Sequence, residues 1–140
     1  MSYTENPILN ILLTDKNAVM QEKGIHSDIK IDNVELSYIE PIDITTIFGN
    51  LLDNAIEAAA NVDGEKYIFI KISAYHKMTV VHIENSCGNV KWKKRMPVSD
   101  KGKGRGIGLL NVKQSIDKYD EDLQLKQDGN RFVADLFLNS

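Results

Sequence analysis

The sequence predicts an α+β fold, a two-layer sandwich in which helices cover one face of a mixed, mostly antiparallel sheet. Three observations predict it. Segments of helical periodicity and of two-residue alternation follow one another as helix, short strands, helix, two strands, loop, helix, two strands. That order lacks the regular strand–helix alternation of a parallel doubly wound sheet. The periodic segments are apolar on one side only, so each layer has a face to bury. A length of 140 residues suits a single domain, with one core that removes roughly two-thirds of the unfolded chain's surface from water.

Taken in order, residues Pro7 to Lys23 set Ile8, Leu9, Leu12, Leu13, Val19 and Met20 at helical spacing. Pro7 suits the first turn, where a missing N–H is no loss, and Gly24 is a stop. Asp28 to Ile39 alternates weakly through Ile29 and Ile31, then through Leu36 and Tyr38, and reads as two short strands turning at Asp32-Asn33. Asp43 is the expected N-cap of a buried helix over about 44–60, where Ile44, Ile47, Phe48, Leu51, Leu52, Ala55, Ile56 and Ala59 recur one turn apart. After an Asp63-Gly64 turn, Tyr67 to Tyr75 and Met78 to Asn85 alternate as the arms of a hairpin closed by His76-Lys77. The stretch from Ser86 to Arg105 is rich in lysine and arginine, contains Pro97 and has no apolar period, which predicts a mobile loop. Helical spacing resumes from Gly106 through Ile107, Leu109, Leu110, Val112, Ile116 and Tyr119. Strands at Leu123 to Lys126 and Arg131 to Leu138 then flank Asp128-Gly129-Asn130.

Composition narrows the function. A net charge of −3 offers no basic field, so nucleic acid is not the expected partner. The one cysteine, Cys87, rules out an intramolecular disulfide framework and, with no CxxC spacing, gives no zinc pattern; it fits a reducing, cytoplasmic compartment. Apolar runs such as Ile8 to Leu13 are far shorter than a bilayer span, so this segment is expected to make no membrane contact.

Two features carry chemistry. Asn50 and Asn54 are four residues apart and share one helix face, with Thr46 a turn earlier and Glu57 near a turn later. Asparagine is a modest helix former, so a mid-helix pair asks for a reason. One is ligation of a hard cation such as magnesium (Mg2+), which takes few protein oxygens and completes its shell with water and substrate phosphates. The other is a plain solvated face. The second feature is Gly102, Gly104, Gly106 and Gly108, interleaved with Lys103 and Arg105 just before a helix. The outward N–H groups of such a helix start attract phosphate, although a glycine-rich run also serves as a hinge. Its G-x-G-x-G spacing matches neither the dinucleotide fingerprint nor the P-loop.

The sequences IFGNLLDNAIEAA, HIENS and KGRGIGLLNVK, in that order and spacing, resemble the GHKL ATPase superfamily of gyrase, a heat-shock chaperone, a mismatch-repair ATPase and bacterial histidine kinases. They are most similar to the catalytic and ATP-binding domain of sensor kinases of the peptide-pheromone quorum-sensing type, over roughly residues 8–138. The resemblance implies a Bergerat-type fold that binds ATP with Mg2+. It implies that Asn54 ligates Mg2+ between the phosphates while Asn50 lies beside the phosphate chain. Gly104, Gly106 and Gly108, with Ile107 and Leu109 between and after them, would let backbone amides approach the phosphates under a lid at about 89–105. Lys101, Lys103 and Arg105 are phosphate neighbours by charge or simply solvated lid residues.

Two departures from the family pattern stand out. The adenine-reading D-x-G-x-G has its counterpart at Asn85 to Asn89, where Asn85 replaces the aspartate and Cys87 the first glycine. An amide oxygen still accepts from an adenine amino group, with weaker affinity, unless the NH2 turns inward. Thr46 stands where many relatives place a glutamate or histidine, and a hydroxyl is no effective base at neutral pH. His26, His76 and His82 fall in expected loop or strand, so none resembles a phosphoacceptor. The implied acceptor is on a dimerisation domain of a parent kinase, whose onward partner is a response regulator. On that reading residues 1–27 are a linker helix, residues 28–140 are the catalytic domain, and the chain is the cytosolic part of a membrane-anchored sensor. The alternative is a degenerate nucleotide-binding regulatory module without phosphotransfer.

Overall fold

A computed structural model of the chain describes residues 3–88, 91–93, 96–98 and 121–139. Its described elements are α1 (Pro7–Glu22), β1 (His26–Ile31), α2 (Pro41–Ala60), β2 (Tyr67–Tyr75), β3 (Met78–Ser86), β4 (Lys91–Lys93), β5 (Met96–Val98), β6 (Glu121–Asp128) and β7 (Arg131–Asn139). Five strands form one sheet in the order β1-β2-β3-β7-β6, and β4 pairs with β5 in a separate small ribbon. Only β1 runs parallel to its neighbour within the main sheet; the β2–β3, β3–β7 and β6–β7 pairs are antiparallel. The expected α+β sandwich with a mixed, mostly antiparallel sheet is therefore observed.

Local chemistry explains the helix ends. Asn6 caps α1 by accepting from the Leu9 N–H at 3.0 Å, Pro7 occupies the first turn, and the chain leaves through Gly24 at φ +71°. In α2 the cap is Glu40, not Asp43. Pro41 fixes the helical φ two residues ahead of Asp43, which falls inside the first turn with its residue 3% exposed. A second expectation also fails, since residues 34–39 form no strand. Leu36 and Ile39, three apart and both 2% exposed, turn into the core instead, with the Ile39 N–H bonded to Leu36 O at 3.0 Å. Tyr38 fixes that turn, its hydroxyl lying 2.9 Å from Thr79 Oγ1 and 3.3 Å from Leu138 O.

Alternation decides which face of the sheet is covered. Thr79, Val81, Ile83 and Asn85 of β3 are buried on one face, in register with Ile68, Ile70 and Ile72 of β2 and with Leu138, Leu136 and Ala134 of β7. Phe48 and Leu52 of α2 and Leu9 and Leu13 of α1 fill the layer above them, each at most 1% exposed. Fully burying side chains of this size is worth about 1.5–3 kcal/mol apiece, which makes this layer the main source of cohesion. The opposite face carries polar groups beside Phe69 and the buried Val133. His82 Nδ1 lies 2.6 Å from Asp135 Oδ1 and its Nε2 3.5 Å from Glu84 Oε1, while the Tyr67 hydroxyl donates to Glu84 Oε2 at 2.9 Å.

The stretch expected as a mobile loop contains the β4–β5 pair, with Trp92 opposite Pro97. Neither KWK nor MPV shows an apolar alternation. The ribbon is held by backbone pairing, which leaves no pattern in side chains. The helix expected from Gly106 lies outside the described residues.

Candidate functional site

α2 packs across β2 and β3 on their buried face. Its N-terminal approach is tied to the Thr79 end of β3 through Tyr38, and its C-terminus returns through residues 61–66 to Tyr67, at the end of β2 where Ile68 pairs with Asn85. The helix therefore runs along β3 in the direction that carries its second half toward Asn85. The polar stripe of α2 and the buried asparagine of β3 thus come from elements in direct contact.

Within α2, Asn50 and Asn54 are about 40° apart around the axis and one turn apart along it. Asn50 Nδ2 donates to Thr46 O at 2.7 Å, folding the side chain back on its own helix and leaving its oxygen as the atom for other work. Asn54 borders the apolar stripe. Its Nδ2 is buried and has no hydrogen-bond partner among the described residues. A buried donor left unpaired costs about 1–3 kcal/mol. Such groups concentrate where a missing species completes them.

Asn85 is 2% exposed, and its Nδ2 lies 2.9 Å from Ser86 O. A carbonyl oxygen only accepts, so the amide nitrogen must face it and the amide oxygen is the acceptor Asn85 has left to offer. Ser86 Oγ accepts from the Tyr67 N–H at 3.0 Å, and the Cys87 N–H donates to Asn130 O at 2.8 Å. These bonds hold the end of β3 on both sides. Ile68 and the half-buried Phe132 are the cross-strand neighbours of Asn85. An acceptor oxygen set between apolar side chains suits a flat ring that carries an amino group. Cys87 is 3% exposed, and burial pushes its thiol pKa up, so it has no reactive-thiolate character.

Asn50, Asn54 and Asn85 are the site residues from the sequence that the structure describes. Lys101, Gly104, Arg105, Gly106, Ile107, Gly108 and Leu109 lie outside the described residues. Sequence reasoning missed Ile68 and Phe132, because only strand register makes them neighbours of Asn85. It read His82 as an ordinary strand residue. The structure adds its carboxylate partners and puts it on the sheet face opposite Asn85. His76 is the expected turn residue, with φ 57°, and the exposed His26 opens β1.

The family profile described as GHKL domain matches residues 39–139. The chain belongs to the GHKL domain family. This GHKL domain is 29% identical over 123 residues to the virulence sensor histidine kinase PhoQ of Salmonella typhimurium, a match spanning 81% of this chain and 24% of PhoQ. The chain thus spans about a quarter of the length of the relatives it matches. Among solved structures, the nucleotide-free catalytic domain of histidine kinase ThkA superposes with a TM-score of 0.77 at 20% identity, covering 99% of this chain and 96% of the other. ThkA in complex with response regulator protein TrrA superposes with a TM-score of 0.70 at 16% identity, over 99% of this chain and 41% of the other. These superpositions match the fold described above.

The GHKL family implies a magnesium ion beside a nucleotide, and the donor set fits one. Asn54 Nδ2 has no partner among the described residues, and rotation about χ2 exchanges the two ends of the amide, so its oxygen would be available to a hard cation and its nitrogen to a phosphate oxygen. Among the described residues there is no cluster of three or more His, Cys, Asp or Glu side chains able to hold a metal by themselves. No helix among the described residues is long and apolar enough to cross a membrane.

Proposed function

We propose that this GHKL domain is the ATP-binding catalytic domain of a two-component sensor histidine kinase, presenting the γ-phosphate of Mg·ATP to a histidine outside the chain. The observation that carries the reading is the buried Asn54 Nδ2, without a hydrogen-bond partner among the described residues, on the same helix face as Asn50. Asn54 would hold the Mg2+ ion, Asn50 would lie beside the phosphates, and Asn85 would accept from the adenine amino group between Ile68 and Phe132. The bound ion would supply charge neutralisation for the phosphate chain. The rest of catalysis on this reading is positioning: the chain fixes the nucleotide, and Thr46 supplies no base for water. Lys101, Gly104, Arg105, Gly106, Ile107, Gly108 and Leu109 would close over the phosphates.

The same reading takes residues 28–140 as the catalytic unit and residues 1–27 as the lead-in from a dimerisation and phosphoacceptor domain, with a response regulator as the onward partner. It places the domain on the cytoplasmic side of a membrane-anchored parent. Asn85 in place of the aspartate supports a peptide-pheromone type within the kinases. A second reading, a regulatory module without phosphotransfer, is favoured by the uncharged Asn85 in place of the aspartate and by Thr46.

Calorimetric titration with a non-hydrolysable ATP analogue, with and without Mg2+, beside the Asn54→Ala variant, tests the site. Magnesium-dependent binding that the variant loses supports it, and equal binding by the variant refutes it. Phosphotransfer from ATP to a supplied acceptor-histidine domain separates the two readings.

A further inference from the structure

β6 ends the sheet order, and among the described residues its outer edge has no strand partner. An open groove lined by residues 122–127 and Gly129 runs along it. The turn to β7 reveals which backbone groups face that groove. Asp128 pairs with Arg131 across the two residues Gly129 and Asn130, and Gly129 has φ +62°. The pair closing a two-residue hairpin exchanges both backbone bonds, and bonded pairs alternate along an antiparallel ladder. Asp128, Lys126, Gln124 and Asp122 therefore direct their N–H and C=O groups at β7, while Leu123, Leu125 and Gln127 direct theirs outward.

An antiparallel strand that is a second copy of β6 can bond this edge only by setting outward residues opposite outward residues, so registers differ by steps of two. One of them places Leu123 opposite Leu125 twice, Asp122 opposite Lys126 twice, and Gln124 opposite its own copy. A step to one side sets Asp122 against Asp128. A step to the other sets Asp122 against Gln124, leaves Leu125 opposite Glu121, and pairs Lys126 only with Asp120, which precedes β6. Asp122, Gln124 and Lys126 are exposed, Leu123 and Leu125 are half-buried on the other face, and Lys126 makes no ion pair among the described residues. Gln124 Nε2 donates to Asp122 Oδ2 at 2.9 Å, so the two side chains lie together on one face. A lysine on an edge normally discourages strand addition, but here a copy of the edge supplies its counter-charge in the register that also matches the leucines.

We propose that β6 is a self-association edge, along which two copies of this chain join their five-stranded sheets into one continuous sheet in the Leu123-to-Leu125 register. Sedimentation equilibrium of the 140-residue chain from micromolar to millimolar concentration should show reversible dimers. Lys126→Glu or Asp122→Lys alone sets like charges opposite each other twice and should weaken dimerisation about tenfold. The double reversal, Asp122→Lys with Lys126→Glu, should restore it. A chain that stays monomeric throughout, or a dimer indifferent to the single reversals, overturns the proposal. If the variants fail to fold, hydrogen exchange in the unaltered chain decides the matter. Protection of the Leu123 and Leu125 amides should rise with concentration, and protection independent of concentration rejects the pairing.

Discussion

Replacing Asn54 with leucine should make the domain more stable and unable to bind Mg·ATP. The buried Asn54 nitrogen has no hydrogen-bond partner among the described residues, so the folded state forfeits the hydration of that donor and receives nothing back. Removing it should recover about 1–3 kcal/mol. Leucine keeps the branched four-atom skeleton of the side chain, with bulkier methyl ends, and has a better helix propensity, worth a few tenths of a kcal/mol more at an interior helix position. A chain of this size gains roughly 3–4 °C in midpoint per kcal/mol, so melting should rise by about 3–10 °C. Urea denaturation at neutral pH gives the stability difference, and calorimetry with the non-hydrolysable analogue gives the binding. A leucine variant less stable than its parent would mean that the amide has a partner in the ligand-free fold. A leucine variant that still binds in a magnesium-dependent way would remove Asn54 from the site.

Three further outcomes are expected. Asn85→Asp should lower stability by about 1–3 kcal/mol at pH 7, read from the urea midpoint, because it sets a carboxylate against Ser86 O at a position 2% exposed. Tyr67 has its pKa pushed up to about 12 from 10.0, chiefly by burial and then by its bond to Glu84. A neutral phenol favoured by the fold adds stability that is fully present below pH 10 and lost as the pH rises toward 12, so Tyr67→Phe should flatten the stability profile across that window. Cys87→Ser exchanges a buried thiol for a hydroxyl and should cost about 1 kcal/mol, and in the unaltered chain the thiol should react with a disulfide reagent only as the domain unfolds.

Patterns that repeat within one element were legible in the sequence. The stripe from Ile44 to Ala59 identified α2, and Tyr67 to Asn85 identified a hairpin with its turn at His76-Lys77. The failures occurred where one local signal competed with another or with distant packing. Asp43 is a good cap residue, but Pro41 already fixes the helix start. Leu36 and Tyr38 alternate like a strand, yet Leu36 and Ile39 are drawn into the core, and β1 finds its partner in β2 across the whole of α2. Asn50 and Asn54 could be paired because helical spacing is short-range. Asn85 was found through the HIENS motif, and its neighbours Ile68 and Phe132 needed the register of three strands. The peptide-pheromone resemblance goes further than the similarity to PhoQ.

The strand order also bears on how the protein is made. β7 is synthesised after every other described strand, yet it lies inside the sheet between β3 and β6. While the ribosome is still short of Arg131, β3 has only β2 beside it, and the apolar face that Leu136 and Leu138 help close is open. A nascent or truncated chain therefore exposes both an unpaired strand edge and part of the core. The asparagine-bearing face of α2 is complete in sequence long before the sheet beneath it is complete, so competence to bind should arrive late and abruptly. Premature termination should yield chaperone or protease substrates rather than partly working domains.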